Sequence, residues 1–224
     1  RHLPMSARRQ RQMCIRDSEF TGQFGFLGTE VMAEGPLNKE GTASYLAMGR
    51  YSTLSLFKAI GIQLGTDAVP LYGDGAFKLN WRLKNGGAMS LFAIGGASSI
   101  DIVISEQTGE TEEVYGEGDR DQYFRTSMFV SGLSLKKPLN ENTYIAATVA
   151  YSRENQNSHH DFLVRSYDAA TNTISIDDMY QLMGYQFTIG KASGFFSVNH
   201  KINRKHLIKA GINVDAYFLS LIHI

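Results

Sequence analysis

Three stretches of the 224-residue chain carry side chains whose types and spacing could do chemistry. The segment 105–122 concentrates Glu106, Glu110, Glu112, Glu113, Glu117, Asp119 and Asp121. Such a density of carboxylates could supply the roughly 6–8 oxygens that calcium takes. The spacing does not follow an EF-hand, and a solvated acidic connection is the expected state. His159-His160-Asp161 offers imidazole and carboxylate to a transition metal. Adjacent histidines on a connecting segment are a weak signal, and no metal site is expected. Gly73-Asp74-Gly75-Ala76-Phe77-Lys78 superficially resembles a nucleotide loop. It lacks the third glycine, and a strand follows where a helix should open. Walker A, HExxH and GxSxG patterns are all missing. The chemistry expected is that of a non-enzyme with no cofactor.

Composition narrows the class further. Residues 1–18 hold Arg1, Arg8, Arg9, Arg11 and Arg16 against Asp17 alone. Taking these from 22 basic and 22 acidic residues leaves 17 against 21, a net charge of −4. No basic patch with interleaved aromatics then survives, so nucleic acid is not an expected partner. No apolar h-region follows the basic stretch, so it does not read as a signal peptide. Met13-Cys14-Ile15-Arg16-Asp17-Ser18 and Leu219-Ser220-Leu221-Ile222-His223-Ile224 resemble translated sequencing adapter. The expectation is therefore an artefactual or disordered segment at 1–18, a domain at 19–218, and an artefactual tail at 219–224. The sole cysteine, Cys14, falls outside that domain, which leaves no disulfide framework.

The elements that must position these residues show a period of two. In Phe77-Lys78-Leu79-Asn80-Trp81-Arg82-Leu83-Lys84, odd residues are large and apolar, and even ones are charged or amide. Between His206 and Ala216, Ile208, Ala210, Ile212, Val214 and Ala216 share one face; Lys209, Asn213 and Asp215 share the other. Between Thr143 and Tyr151, Ile145, Ala147, Val149 and Tyr151 alternate with Tyr144, Ala146, Thr148 and Ala150. Successive side chains of a strand point to opposite faces, so these are two-faced strands.

Connections come in two sizes. Short turns are expected at Asn38-Lys39-Glu40-Gly41, Asn85-Gly86-Gly87, Asn140-Glu141-Asn142 and Asn203-Arg204-Lys205. Long connections are expected at roughly 57–74, 105–122 and 153–180. There is an echo: Pro36-Leu37-Asn38-Lys39 and Pro138-Leu139-Asn140-Glu141 each precede a strand ending in Tyr-Ser, at Tyr51-Ser52 and Tyr151-Ser152. The fold expected is an all-β antiparallel meander of about eight strands.

Alternation also suits a soluble β-sandwich, such as a carbohydrate-binding module. Three features favour a transmembrane barrel. Short turns alternate with long loops. The span 123–139 exceeds the ~5–6 residues of a typical soluble strand. Tyr51, Tyr123, Tyr151 and Tyr217 sit where an interfacial girdle would place them. No run approaches the ~20 apolar residues of a membrane helix. On the barrel reading Phe77, Leu79, Trp81, Leu83, Ile145, Val149, Ile208, Ile212 and Val214 face lipid. Arg50, Lys78, Asn80, Arg82, Lys209, Asn213 and Asp215 face the interior, where ordinary hydration accounts for most of them and contact with plug or cargo is the functional alternative.

Glu34-Gly35-Pro36-Leu37, Ala43-Ser44-Tyr45-Leu46, Arg50-Tyr51-Ser52, Ala68-Val69-Pro70-Leu71-Tyr72-Gly73-Asp74 and Phe77-Lys78-Leu79 resemble the early barrel of TonB-dependent outer-membrane receptors. The subgroup resembled has a carboxypeptidase-regulatory-like N-terminal domain, and the resemblance spans roughly 19–218. It implies an arc of a 22-stranded barrel in the bacterial outer membrane. It also implies energised import of an iron chelate, cobalamin, glycan or peptide. The partners implied are outer-membrane lipid, a plug domain of the same parent chain, the TonB–ExbB–ExbD complex reached through an N-terminal region, and a surface lipoprotein. A passive porin or an adhesin barrel is the alternative.

Overall fold

The structure is a computed structural model that describes residues 18–25, 28–54, 70–84, 86–105, 117–168 and 173–223. Its elements are nine strands: β1 (Glu19–Phe24), β2 (Gly28–Pro36), β3 (Ala43–Ser52), β4 (Leu71–Arg82), β5 (Ala88–Ile102), β6 (Arg120–Asn140), β7 (Thr143–Asp168), β8 (Thr173–Lys201) and β9 (Leu207–His223). All pair antiparallel with their sequence neighbours in one sheet of order β1 to β9. The expected all-β meander is present, with one strand more than the eight expected. The four hairpins read from the turns supply eight strands, and β1 is the ninth.

Among the described residues the sheet is open: β1 pairs only with β2, and β9 only with β8. Each outer edge therefore presents a row of unpaired peptide groups. Among the described residues no second layer covers the sheet, and the buried apolar side chains are Leu54 and a small cluster of Ile102, Ile104 and Leu163. The packed interior required by a β-sandwich does not occur there.

The short turns share a mechanism. Asn38 Oδ1 accepts from the Thr42 and Ala43 amides at 2.9 and 3.3 Å. Asn140 Oδ1 accepts from the Asn142 amide at 3.0 Å, and Asn203 Oδ1 from those of Lys205 and His206, both at 2.9 Å. An amide side chain that satisfies backbone donors just ahead of it fixes a turn. In the remaining turn Gly86 has φ 74°, which a side chain would disfavour; Asn85 lies outside the described residues. The antiparallel order puts these four turns along one margin of the sheet.

The opposite margin differs from expectation. The segment 153–180 is not a loop: β7 and β8 pair continuously from Thr143↔His200 to Asp168↔Thr173, with bulges at His160/Asp161 and Val164/Arg165. They outrun β6, whose last partner pair is Arg120↔Phe162. β9 also runs beyond the domain boundary expected at 218, pairing with β8 as far as His223↔Tyr185. Residues 1–17 lie outside the described residues.

Glycines make room for rings across strands. A Cβ at Gly73 would stand 3.2 Å from the Tyr51 ring, and one at Gly132 would stand 2.7 Å from Phe92. Each pair is in direct register. An aromatic ring laid over a cross-strand glycine covers backbone that would otherwise be bare.

Candidate functional site

Residues paired across strands share a face, so the register sorts every side chain. One row runs Ala43, Trp81, Met89, Leu135, Ala147, Phe196, Ile212 from β3 to β9. The next runs Tyr45, Leu79, Leu91, Leu133, Val149, Gly194, Val214. A third runs Ala47, Phe77, Ala93, Ser131, Tyr151, Ala192, Ala216. These three rows contain no charged side chain. On the same face Ile145 adjoins Val198, which adjoins Ala210, and Ile208 pairs with His200. Eight of the nine residues expected to face lipid therefore lie on this apolar face. The ninth, Leu83, sits one position past β4 in a turn, where its amide donates to the Gly87 carbonyl at 2.8 Å.

Among the described residues nothing covers the apolar face. Val149, Ile212 and Val214 are 60%, 62% and 59% exposed. In β9 the apolar run from Ile208 to Phe218 extends along about 33 Å of strand. At a tilt of ~40° that is roughly the 25 Å height of a barrel's lipid-facing band.

All seven residues expected to face the interior lie on the other face. Arg50 stands in register with Glu30 and Asp74; its Nε donates to Asp74 Oδ1 at 2.8 Å, and its guanidinium lies 5.4 Å from the Tyr72 ring centroid. Lys78, Asn80 and Arg82 follow along β4. Asp215 sits 3.2 Å from Lys191 Nζ and accepts from Asn213 Nδ2 at 3.3 Å; Lys209 pairs with Asn199. Sequence reasoning missed Glu30, Asp74, Glu154 and Lys191 on this face, although their parity within each strand placed them there. Tyr217, expected in an interfacial girdle, also faces this side, 5.2 Å below Lys191 Nζ. Tyr51, Tyr123 and Tyr151 are on the apolar face, and Tyr151 lies within β7 in the third charge-free row, not at the strand end expected for it.

The charged face is not uniformly polar. Met32, Met48, Ala76, Ile94 and Val130 form one row across β2 to β6, with Met128 in the adjacent row. Ile94 and Met128 are 47% and 49% exposed.

At the margin opposite the short turns, the remaining chemical candidates resolve into structure. Asp121, 1% exposed, accepts from the Ile104 amide at 2.7 Å, the Ser105 amide at 2.9 Å and Ser105 Oγ at 2.6 Å. Arg120 bridges Asp119 and Glu117. Its hydrogen bond holds the Asp119 carboxyl below the usual carboxylate value, and Asp119 in turn raises Arg120. Glu106, Glu110, Glu112 and Glu113 lie outside the described residues. His159 and His160 point to opposite faces and cannot share an ion. His159 Nε2 lies 2.8 Å from Asp161 Oδ1. His160 is buried, with Nε2 2.8 Å from Ser158 Oγ and its ring edge-on to Phe124 at 5.4 Å. Burial, aided by Arg120, lowers its pKa. Among the described residues no three metal-ligating side chains converge. Gly73 to Lys78 is continuous β4, not a phosphate loop.

The single sheet presents an apolar surface on one side and a charged surface on the other. Comparison with known protein families and with curated proteins finds no match.

Proposed function

We propose that this chain is part of the wall of a bacterial outer-membrane β-barrel, the barrel of a TonB-dependent receptor that imports a bulky nutrient. The observation that carries the membrane reading is the charge-free apolar band crossing the sheet with no layer over it. In water such a surface would be an aggregation site. Against acyl chains it is matched. In hydrocarbon every peptide group must bond within the protein, so the open edges at β1 and β9 call for further strands of a closed barrel.

The receptor reading rests on the sequence resemblance and gains support from the Met32–Val130 row. A water-filled pore has no use for exposed methionine and isoleucine on its inner wall. A barrel filled by a plug domain does, because the plug covers them. Arg50, Lys78 and Arg82 then provide charged contacts around that patch. On this reading an iron chelate, cobalamin, glycan or peptide is the cargo, and TonB supplies the energy through the plug.

The test is partitioning of the full-length protein. It is expected in the outer-membrane fraction, resistant to carbonate extraction, and to require detergent for a monodisperse state. A monodisperse protein in detergent-free buffer overturns the membrane reading. A barrel that is membrane-embedded but conducts ions as an open pore overturns the plugged-receptor reading alone.

A further inference from the structure

Positive charge collects along the margin formed by the short turns. Setting aside Arg82, the turns and the strand residues beside them hold eight cations. Lys136, Lys201 and Lys209 belong to the charged face, in register with Ala88, Leu207 and Asn199. Lys137, paired with Ile145, belongs to the apolar face. Lys39, Lys84, Arg204 and Lys205 stand on the turns themselves. Against these eight, the same turns carry the carboxylates of Glu40 and Glu141. All eight cations are exposed, and among the described residues none is in an ion pair. The opposite margin differs: there Arg120 and Arg125 are each held by carboxylates. We infer that the rim of short turns docks a carboxylate-bearing polymer lying across the barrel mouth, the chemistry of the peptide-linked glycan of the bacterial cell wall. The inference rests on the proposed function, since it needs the short turns to face the periplasm.

Three observations select this occupant. The first is reach. Lipid touches the outer surface of a barrel, the side of Lys137, and a plug touches the inner wall, the side of Lys136, Lys201 and Lys209. An occupant that meets both sets and the turns between them lies across the end of the wall. The second is extent. The outermost of the four turns, 37–42 and 202–206, stand six strand spacings apart, about 29 Å. A small anion covers one turn, whereas a polymer spans all four. Successive turns are about 10 Å apart, close to the ~8 Å over which salt screens a charge, so their positive fields join. The third is type. Seven of the eight cations are lysines. An ordered pocket for one phosphate or carboxylate favours the rigid fork of arginine, while lysine is a point charge on a flexible stem. Mobile point charges suit the irregularly spaced carboxylates of a flexible polymer.

The experiment is co-sedimentation of the full-length protein, in lipid nanodiscs, with purified insoluble cell-wall glycan. Native wall is compared with wall whose carboxylates have been amidated, and discs of phosphatidylcholine with discs that also contain phosphatidylglycerol. Two triple variants accompany the parent: Lys136→Gln with Lys201→Gln and Lys209→Gln, and Lys39→Gln with Lys84→Gln and Lys205→Gln. Native wall is expected to retain the protein from both kinds of disc. Retention should fall about tenfold or more on amidated wall and in each variant, with β-sheet circular dichroism unchanged. Equal retention by native and amidated wall overturns the inference, as does undiminished retention of either folded variant. Retention abolished by phosphatidylglycerol in the disc assigns the rim to lipid headgroups and also overturns it. A protein that inserts in discs yet ignores native wall sinks this inference alone; one that never inserts sinks the proposed function with it.

Discussion

Trp81 and Ile212 occupy one register row of the sheet, joined through Met89, Leu135, Ala147 and Phe196. Five strand spacings, about 24 Å, separate them. Residues far apart in sequence thus contribute to one surface, and that surface carries no charge across the row. A single amphipathic strand can arise in any β protein. A row that stays apolar through six successive strands, with nothing over it among the described residues, is what the proposed barrel wall requires.

A charge placed in this row should be costly in lipid. Ile212→Arg is expected to destabilise the folded full-length barrel by ~2–4 kcal/mol, the range for arginine near the bilayer midplane. Asn213→Arg, one residue on and facing the other side, should cost less than about 1 kcal/mol. Urea titration of both variants in liposomes reads the difference. Equal costs would show that the two faces meet the same solvent.

Asp121 is the clasp of the margin opposite the short turns. It satisfies two backbone amides and one hydroxyl while itself buried. Asp121→Ala leaves those donors without their acceptor, at about 1–3 kcal/mol. The loss should be local: hydrogen exchange at the Ile104 and Ser105 amides should accelerate by one to two orders of magnitude, on the order of that energy, while β4 and β5 amides near Trp81 keep their protection. Unchanged exchange at both positions would remove Asp121 from this role.

The same margin should loosen in acid. Above the ordinary histidine value of 6.5, His160 is neutral folded and unfolded, and contributes no pH dependence. Its folded pKa is lowered, so as pH falls below 6.5 the unfolded form binds a proton first and stability drops until the folded form titrates. Arg120 and His159 oppose its protonation; Glu117 and Asp161 favour it but do not prevail over burial. Local exchange at Ile104 between pH 7.5 and 5, corrected for intrinsic rate, should show this loss. His160→Gln should flatten it. An identical slope in the variant would assign the effect to the surrounding carboxylates.

Much of the wall was legible from sequence, because contrast between neighbours reveals a strand. Lys78 beside Leu79 and Ile212 beside Asn213 announce their faces, and asparagines at 38, 140 and 203 announce the turns. Legibility failed where contrast vanished. In β7, Arg153, Asn155 and Asn157 face one way, and Glu154, Gln156 and Ser158 the other. With both faces polar, period two leaves no trace, and the stretch reads as a loop. The short β1 pairs with β2 by backbone register that its six residues do not announce. The Ile102–Ile104–Leu163 core depends on a contact between β5 and the far part of β7 that no local pattern contains. Tyr217 was assigned by type and position along the strand, when its parity with Asp215 already placed it on the charged face.

Trp81 is the chain's only tryptophan, which makes the central claim directly measurable. The full-length protein can be reconstituted in vesicles of phosphatidylcholine brominated at successive acyl positions, with any other tryptophan replaced by phenylalanine. Emission from Trp81 should be blue-shifted and strongly quenched by the bromines, and insensitive to iodide in the aqueous phase. Quenching by iodide with no response to brominated chains would place Trp81 in water or inside protein, and would contradict the assignment of the apolar face to lipid.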